Sequence, residues 1–148
     1  MNKVNLETSV NHHIALSAIM IKRVFYKILS ENQLDITPEQ WNVLYYLSES
    51  GGLTVGELRE LTFKDFANVS RITQKLEVAG LIEKVRDSAD KRAFKLFITD
   101  AGEEITKKLH LCAFESTNIA MEGIDAPTRE IILKNLKHIL RNTDNYLK

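Results

Sequence analysis

The change of hydrophobic spacing after Gly80 is the feature that most constrains the fold of this 148-residue chain. Up to that glycine, apolar residues recur three and four positions apart, which is typical of amphipathic helices. The segments 81–86 and 93–98 are strand-like, and the polar stretch 87–91 lies between them. Helical spacing then returns to the end of the chain. The sequence therefore predicts a mostly α-helical protein with one small β-hairpin.

The sequence also indicates where the helices begin. Thr37 and Thr54 each stand three residues before a Gln or Glu, which is the pattern of a capping box. Asp65 can cap a third short helix over about residues 66–79, which Gly80 ends. Longer helices are expected over about 8–30, from 99 to about 121, and from Asp125 onward.

Two short helices that meet at a turn around residues 62–64 and precede a hairpin predict a winged helix-turn-helix. The second helix of such a module lies in the major groove of DNA. The expected fold class is therefore a mostly α winged helix-turn-helix domain flanked by long N- and C-terminal helices. We expect one domain over 1–148, with the DNA-binding module in 35–99 and the flanking helices in 1–34 and 100–148.

Charge is balanced over the chain but not along it. Lys and Arg number 20 and Asp and Glu number 20, which excludes a polycation that coats nucleic acid or membrane with its whole surface. Residues 59–95 hold nine basic and six acidic side chains, a charge of +3, so the remainder carries −3. We interpret this as a basic module between acidic flanks, as a specific DNA-binding protein needs; ordinary scatter of charge is the alternative.

Other classes of function find little support. The chain contains no Gly-rich phosphate loop, nucleophile elbow or paired-Cys metal motif, so we expect no enzyme, cofactor or metal. His12 and His13 would point about 100° apart on a helix and are interpreted as helix or dimer-seam residues rather than ligands. Cys112 is the single cysteine and excludes an internal disulfide, so a reducing, cytoplasmic location is expected, without a membrane span. We interpret it as a core or interface residue, with an oxidant-sensing thiol as the alternative.

The region from Gly80 to Gly102 resembles the wing of the MarR family of bacterial transcriptional regulators. That family ends its recognition helix with Gly-Leu, opens the wing with Arg, carries Asp-x-Arg at the wing tip, and begins the next helix with apolar-Thr-x-x-Gly. The matching residues are Gly80-Leu81, Arg86, Asp90 with Arg92, and Ile98-Thr99 with Gly102. The resemblance implies a homodimer formed by the long first and last helices, and most often a repressor. Lys64 and the Asp65 cap depart from the apolar residue and Ser or Thr cap of most members.

The resemblance and the chemistry of the side chains together define an expected DNA-binding set. Val69, Ile72 and Leu76 would form the buried stripe of the recognition helix, leaving its polar residues outward. Asn, Gln and Arg can read base edges, whereas Ser and Lys better suit phosphates. The family pattern implies that the Arg at the wing tip enters the minor groove. The set is Lys64, Asn68, Ser70, Arg71, Gln74, Lys75, Arg86, Asp90, Lys91 and Arg92.

Two roles are open for Asp90. Its carboxylate can hold a guanidinium in a bidentate pair, for which Arg86 is one candidate, and it can hydrogen-bond its own backbone and form the wing turn. Both roles can hold at once.

The resemblance further implies partners. Two recognition helices of a dimer would enter successive major grooves about 34 Å apart on a pseudo-palindromic operator of double-stranded DNA. Small phenolic or carboxylic effectors of the family bind between the dimer helices and the DNA-binding lobe. Phe25, Trp41 and Tyr45 are the candidate effector-pocket residues, with a role in the core as the alternative. The rival function is a dimeric winged-helix protein-interaction module without specific DNA binding, suggested by the zero net charge and by Asp65.

Overall fold

A computed structural model describes residues 3–148, so the first two residues of the expected N-terminal flank lie outside the described part. Within it, a turn of 3₁₀ helix at Leu6–Thr8 precedes six α-helices and one hairpin, which confirms the predicted fold class. The elements are α1 (Val10–Glu31), α2 (Pro38–Ser48), α3 (Val55–Thr62), α4 (Phe66–Val78), β1 (Ile82–Arg86), β2 (Phe94–Ile98), α5 (Asp100–Ala120) and α6 (Ala126–Leu147).

Local side-chain chemistry sets the helix starts. Thr37 and Thr54 form the two predicted capping boxes, each accepting from a backbone N–H while the partner side chain accepts in return. Asp65 accepts from the backbone N–H of Asn68 at 2.8 Å, and Asp125 caps α6 in the same way at 2.9 Å. The first helix begins at Val10 rather than near residue 8, because the Ser9 hydroxyl caps it.

The hydrophobic core is built from residues between Phe25 and Cys112 and includes two residues of α4, Val69 and Leu76. Val69 and Leu76 are fully buried as predicted, whereas Ile72 is only half-buried. Thr73 is buried beside them, and its hydroxyl donates to the carbonyl of Ser70 at 3.0 Å. A threonine is tolerated there because its hydroxyl is satisfied within the helix. Because this side of α4 is buried in the core, its opposite face points to solvent.

The hairpin is antiparallel, pairing Ile82 with Ile98 at one end and Arg86 with Phe94 at the other. Each strand is one residue shorter at its start than predicted. Leu53 adds a bridge on the free edge of β2, with N···O distances of 3.1 and 2.7 Å to Leu96. This bridge anchors the base of the wing to the segment before α3.

A clasp of hydrogen bonds joins the end of α4 to the start of α5. The Thr99 hydroxyl donates to the carbonyl of Gly80 at 2.7 Å and accepts from the N–H of Gly102 at 3.1 Å. The Thr99 N–H donates to the carbonyl of Leu81 at 3.1 Å. A Cβ on Gly102 would lie 2.1 Å from that same carbonyl oxygen, so only glycine fits.

The chain divides into two compact units, Met1–Ser116 and Thr117–Lys148. In the second unit, Arg129 holds the turn before α6 by donating to the carbonyls of Met121 and Ile124 at 2.8 and 2.7 Å. No residue of α6 is buried, and several of its apolar side chains are exposed: Ile131, Leu133, Leu136, Leu140 and Leu147. In residues 3–148, no helix combines the length and the apolar character needed to cross a membrane.

Candidate nucleic-acid interface

The turn between α3 and α4 presents the second helix. It runs through Phe63, Lys64 and Asp65, and Phe63 adopts a left-handed backbone with φ of 54°. That conformation ends α3 and reverses the chain without a glycine. The aromatic rings of Phe63 and Phe66 are both 60% exposed, so they form an apolar edge at the start of α4.

The outward face of α4 carries most of the expected base-reading and phosphate-binding residues. Asn68, Arg71, Gln74 and Lys75 are all exposed on α4, while Lys64 in the preceding turn and Ser70 are half-buried. The buried side packs on α2, α3 and β1. The structure therefore leaves the predicted set on α4 accessible along one helix.

Hydrogen bonds link Asp65, Asn68 and Arg71 on the exposed side of α4. Both oxygens of the Asp65 carboxylate accept from Asn68, one from its backbone N–H at 2.8 Å and one from its side-chain amide at 2.7 Å. The Asn68 amide oxygen in turn accepts from the Arg71 guanidinium at 2.7 Å. The Asp65 carboxylate at the start of α4 is thus hydrogen-bonded within its own helix.

The first turn of α2 lies beside α4, which sequence reasoning missed. Together they line a cleft of about 310 Å³ that includes Lys64, Arg71 and Lys75 from the α4 side. The α2 side supplies Thr37, Glu39 and Gln40. No local pattern signals this approach, because it depends on how two helices pack that are about 30 residues apart in sequence.

The one acid on the α2 side of this cleft is paired. Burial alone would raise the pKa of Glu39, but its ion pair with Lys22 of α1 outweighs that effect and lowers the pKa. Glu39 therefore stays ionised at neutral pH with its charge compensated from α1.

The wing places its cations at the surface. Lys91 and Arg92 are exposed at the tip, where the Asp90 carboxylate accepts from the backbone N–H of Arg92 at 2.9 Å. Asp90 is thus the turn-forming residue. Within residues 3–148 no ion pair joins Asp90 to Arg86, and the Arg86 guanidinium lies instead 5.5 Å from the centroid of the Phe94 ring.

The acidic-flank interpretation holds for only part of the flanks. Residues 96–125 contain six acids and two lysines, whereas residues 126–148 contain five basic and two acidic side chains. Residues 1–58 contain six acids and four basic residues. The C-terminal helix is therefore basic, like the central module, and α5 is the main acidic element.

The candidate effector residues belong to an aromatic cluster. Trp41 contacts His110 of α5 edge-on at 4.9 Å between ring centroids, and Tyr45 lies 5.9 Å from the same imidazole. Phe25 is buried and packs 6.5 Å from Trp41, so it supports the cluster from the core. His110 was not predicted, since a single histidine 65 residues beyond Tyr45 carries no local signal.

Cys112 is buried on α5, as expected for a core or interface residue. Burial, with the nearby charge of Glu115, raises the pKa of its thiol. The shift is opposite to the one that makes a cysteine an oxidant sensor.

Helix, turn, outward recognition helix and hairpin wing define the winged helix-turn-helix class of DNA-binding proteins. The comparison with known proteins is more specific. A family model described as MarR family matches residues 34–93. The HTH-type transcriptional regulator YybA of Bacillus subtilis is 30% identical over 111 residues, 75% of this chain and 74% of YybA. The chain belongs to the MarR family of transcriptional regulators.

Solved structures agree on the fold. BpsR of Bordetella bronchiseptica, described with regulation of its DNA binding by 6-hydroxynicotinic acid, superposes with a TM-score of 0.86 at 20% identity, covering 93% of this chain and 97% of BpsR. A mutant of MarR from E. coli complexed with operator DNA superposes with a TM-score of 0.83 at 21% identity, covering 95% and 99%.

Proposed function

We propose that this regulator binds a pseudo-palindromic operator as a homodimer and represses transcription until a small molecule releases it. The observation that carries the proposal is the continuous polar face of α4, with Asn68, Arg71, Gln74 and Lys75 exposed, beside a wing tip with exposed Lys91 and Arg92. Residues 35–99 would form the DNA-binding module. The segments 1–34 and 100–148 would supply the dimer, and the protein would act in the cytoplasm.

Each contact follows from its chemistry. Arg71 and Gln74 would reach base edges, while Lys64, Ser70 and Lys75 suit phosphates. The Arg92 guanidinium, carried on a narrow hairpin, suits a minor groove in which A·T-rich DNA concentrates negative potential. Lys91 and Arg86 would contact the backbone nearby.

Unburied apolar surface on the long helices supports the homodimer. Leu133, Leu136 and Leu140 of α6 are exposed and lie close together on one side of the helix, where they form an apolar stripe. The helices α1 and α5 also expose large apolar side chains: Leu16, Ile19 and Met20 on α1, and Leu111, Phe114 and Ile119 on α5. Surface of this extent needs a partner, and a second copy supplies the same surface by two-fold symmetry.

The aromatic cluster supports a small phenolic or carboxylic effector. Trp41 and Tyr45 offer flat apolar walls, and His110 offers a polar group that can bind a hydroxyl or carboxylate. Such a ligand would release DNA only by binding better to a dimer whose recognition helices are wrongly spaced. Because Trp41 is the single tryptophan, its fluorescence reports on binding directly, and hydroxybenzoates and 6-hydroxynicotinic acid are suitable first probes.

An electrophoretic mobility-shift assay with the DNA upstream of the protein's own gene tests DNA binding. We expect a retarded complex that survives excess unrelated DNA at physiological salt. Equal loss of the complex to unrelated DNA would favour the protein-interaction module instead. The structure weakens one motive for that rival, because the Asp65 carboxylate is engaged by Asn68 rather than free to repel phosphate.

A further inference from the structure

We propose that Asp65, Asn68 and Arg71 form a relay that orients the Arg71 guanidinium toward one guanine in each half-site. In this relay Asn68 is a positioning residue and not a reader of bases. The inference rests on the proposed DNA binding and adds to it the base that is read and the residues that determine it.

The relay follows one ridge of the helix. The three residues are spaced three apart, so each lies over the next on the exposed side of α4. The links are the 2.7 Å bond from the Asn68 amide nitrogen to Asp65 and the 2.7 Å bond from the Arg71 guanidinium to the Asn68 amide oxygen. Asp65 is held in turn by its capping bond to the Asn68 backbone at 2.8 Å.

The polarity of the relay is determined by chemistry. A carboxylate only accepts hydrogen bonds, and a guanidinium only donates them. The amide of Asn68 lies between the two, so its NH₂ group must face Asp65 and its oxygen must face Arg71. Reversing the amide would oppose two acceptors at one end and two donors at the other.

This polarity changes which residue can read a base. A two-bond contact with adenine requires the amide edge to turn toward the base, whereas the bonds of the Asn68 amide to Asp65 and Arg71 hold its orientation within the helix. Arg71 uses a single N–H on Asn68, which leaves the others of its fork for the O6 and N7 atoms of guanine. A long arginine side chain that is already held also loses less freedom on binding.

The charge of Asp65 has a second effect. It offsets part of the positive charge at this point of α4, so phosphates of unrelated DNA attract Arg71 less than they would attract an isolated arginine. The acidic cap would therefore favour recognition of a base over adhesion to the backbone.

A matched set of variants separates the relay from its effect on helix stability. Asp65→Ser retains a good N-cap but lacks the second oxygen that holds the Asn68 amide. Asp65→Asn retains a capping oxygen but replaces the other by a donor, which turns the Asn68 amide around. Asn68→Ala removes the link, Arg71→Ala removes the reader, and Glu77→Ala alters an exposed residue of the same helix outside both the relay and the proposed DNA-binding set.

The test is selection of binding sites by the full-length protein from a library of random 30-bp duplex DNA, followed by sequencing. For wild type we expect an inverted repeat with a guanine in each half-site, and for Arg71→Ala no preference for that guanine. Asp65→Ser, Asp65→Asn and Asn68→Ala should each reduce the preference about 5-fold or more, the scale of one good base contact. Glu77→Ala should retain it, and circular dichroism should show all variants folded.

Results that contradict the relay can be distinguished from a result that contradicts DNA binding. If Asp65→Ser and Asn68→Ala keep the full guanine preference, the relay is wrong and DNA binding stands. Loss of an adenine preference in Asn68→Ala would make Asn68 a reader and equally overturn the relay, as would a wild-type site without an Arg71-dependent guanine. If wild type enriches no sequence at all, the proposed DNA binding itself fails and the relay falls with it.

Discussion

Arg92 is the residue at which the proposed wing contact with DNA can be tested most directly. It lies at the tip of a turn that the Asp90 carboxylate closes at 2.9 Å, so its backbone is held while its guanidinium is exposed. An arginine whose backbone is held while its guanidinium is exposed suits the narrow minor groove of DNA.

We therefore expect Arg92→Ala to weaken operator binding about 10-fold or more, since one specific contact contributes about 1–3 kcal/mol. Fluorescence anisotropy at physiological salt measures the effect. The neighbouring Lys91→Ala is the control, because a phosphate contact should weaken all sequences alike and reduce the salt dependence by about one unit. Unchanged affinity in Arg92→Ala would contradict the wing assignment.

Phe63 is the other residue whose local conformation can be tested. Its backbone is left-handed, with φ of 54°, a region that costs a residue with a Cβ about 1–2 kcal/mol. Since the ring is 60% exposed, its loss removes little buried surface.

We expect Phe63→Gly to be more stable than Phe63→Ala by about 1 kcal/mol, because both remove the ring and only glycine relieves the backbone. Urea denaturation of the two variants gives the difference. Equal free energies of unfolding would show that the backbone at this turn is unstrained.

Among the secondary-structure elements, the motif Ile98-Thr99-x-x-Gly102 forms the hydrogen-bonded clasp between α4 and α5. Thr99 binds both the end of α4 and the start of α5, and Gly102 lets the α5 backbone touch the Leu81 carbonyl. The clasp therefore connects α4, the hairpin and α5 at one point.

Gly102→Ala should lower the free energy of unfolding by about 3 kcal/mol or more, because the added Cβ meets a backbone oxygen at 2.1 Å that has no room to move. Thermal and urea denaturation measure the loss. Gly56→Ala is the matched control, since a Cβ there meets only the Thr54 hydroxyl at 3.7 Å. That variant should be neutral or more stable by up to about 1 kcal/mol. A similar change in the free energy of unfolding at both glycines would argue against a special role of the clasp.

At the scale of the whole molecule, charge and apolar surface are distributed by helix. The balanced total combines a basic central module and a basic C-terminal segment with acidic residues 1–58 and 96–125. On α6 the exposed side chains of Leu133, Leu136 and Leu140 lie within about 60° of one another on the helix. Lys134, Lys137 and Arg141 border this apolar stripe and line a groove together with Leu140. Because no residue of α6 is buried, we assign the proposed dimer contact to this stripe.

The double variant Leu136→Glu with Leu140→Glu should convert the dimer to monomer and abolish binding to a two-half-site operator, because charges would enter the apolar interface. Sedimentation velocity measures the mass. Lys134→Glu, on the polar side of the same helix, should remain dimeric. A double variant that stays dimeric would show that α6 is not at the interface.

Local chemistry made much of the molecule predictable from sequence. The capping boxes at Thr37 and Thr54, the Asp65 cap and the change of hydrophobic spacing each depend on residues a few positions apart. These short-range patterns indicated the order of elements and the outward face of α4. The exact strand starts and the burial of Thr73 in place of Ile72 depended on packing, which spacing alone does not resolve.

Residues close together in the sequence were enough to predict the winged helix-turn-helix, its helix boundaries to within a few residues, and the residue types available for DNA. Three features emerged only in the folded chain: the approach of α2 to α4, the position of His110 against Trp41, and the Asp65–Asn68–Arg71 relay. The first two are contacts between elements 30 or more residues apart, formed by the burial of a shared core. The third depends on rotamers, which determine whether a polar residue reads DNA or holds its neighbour.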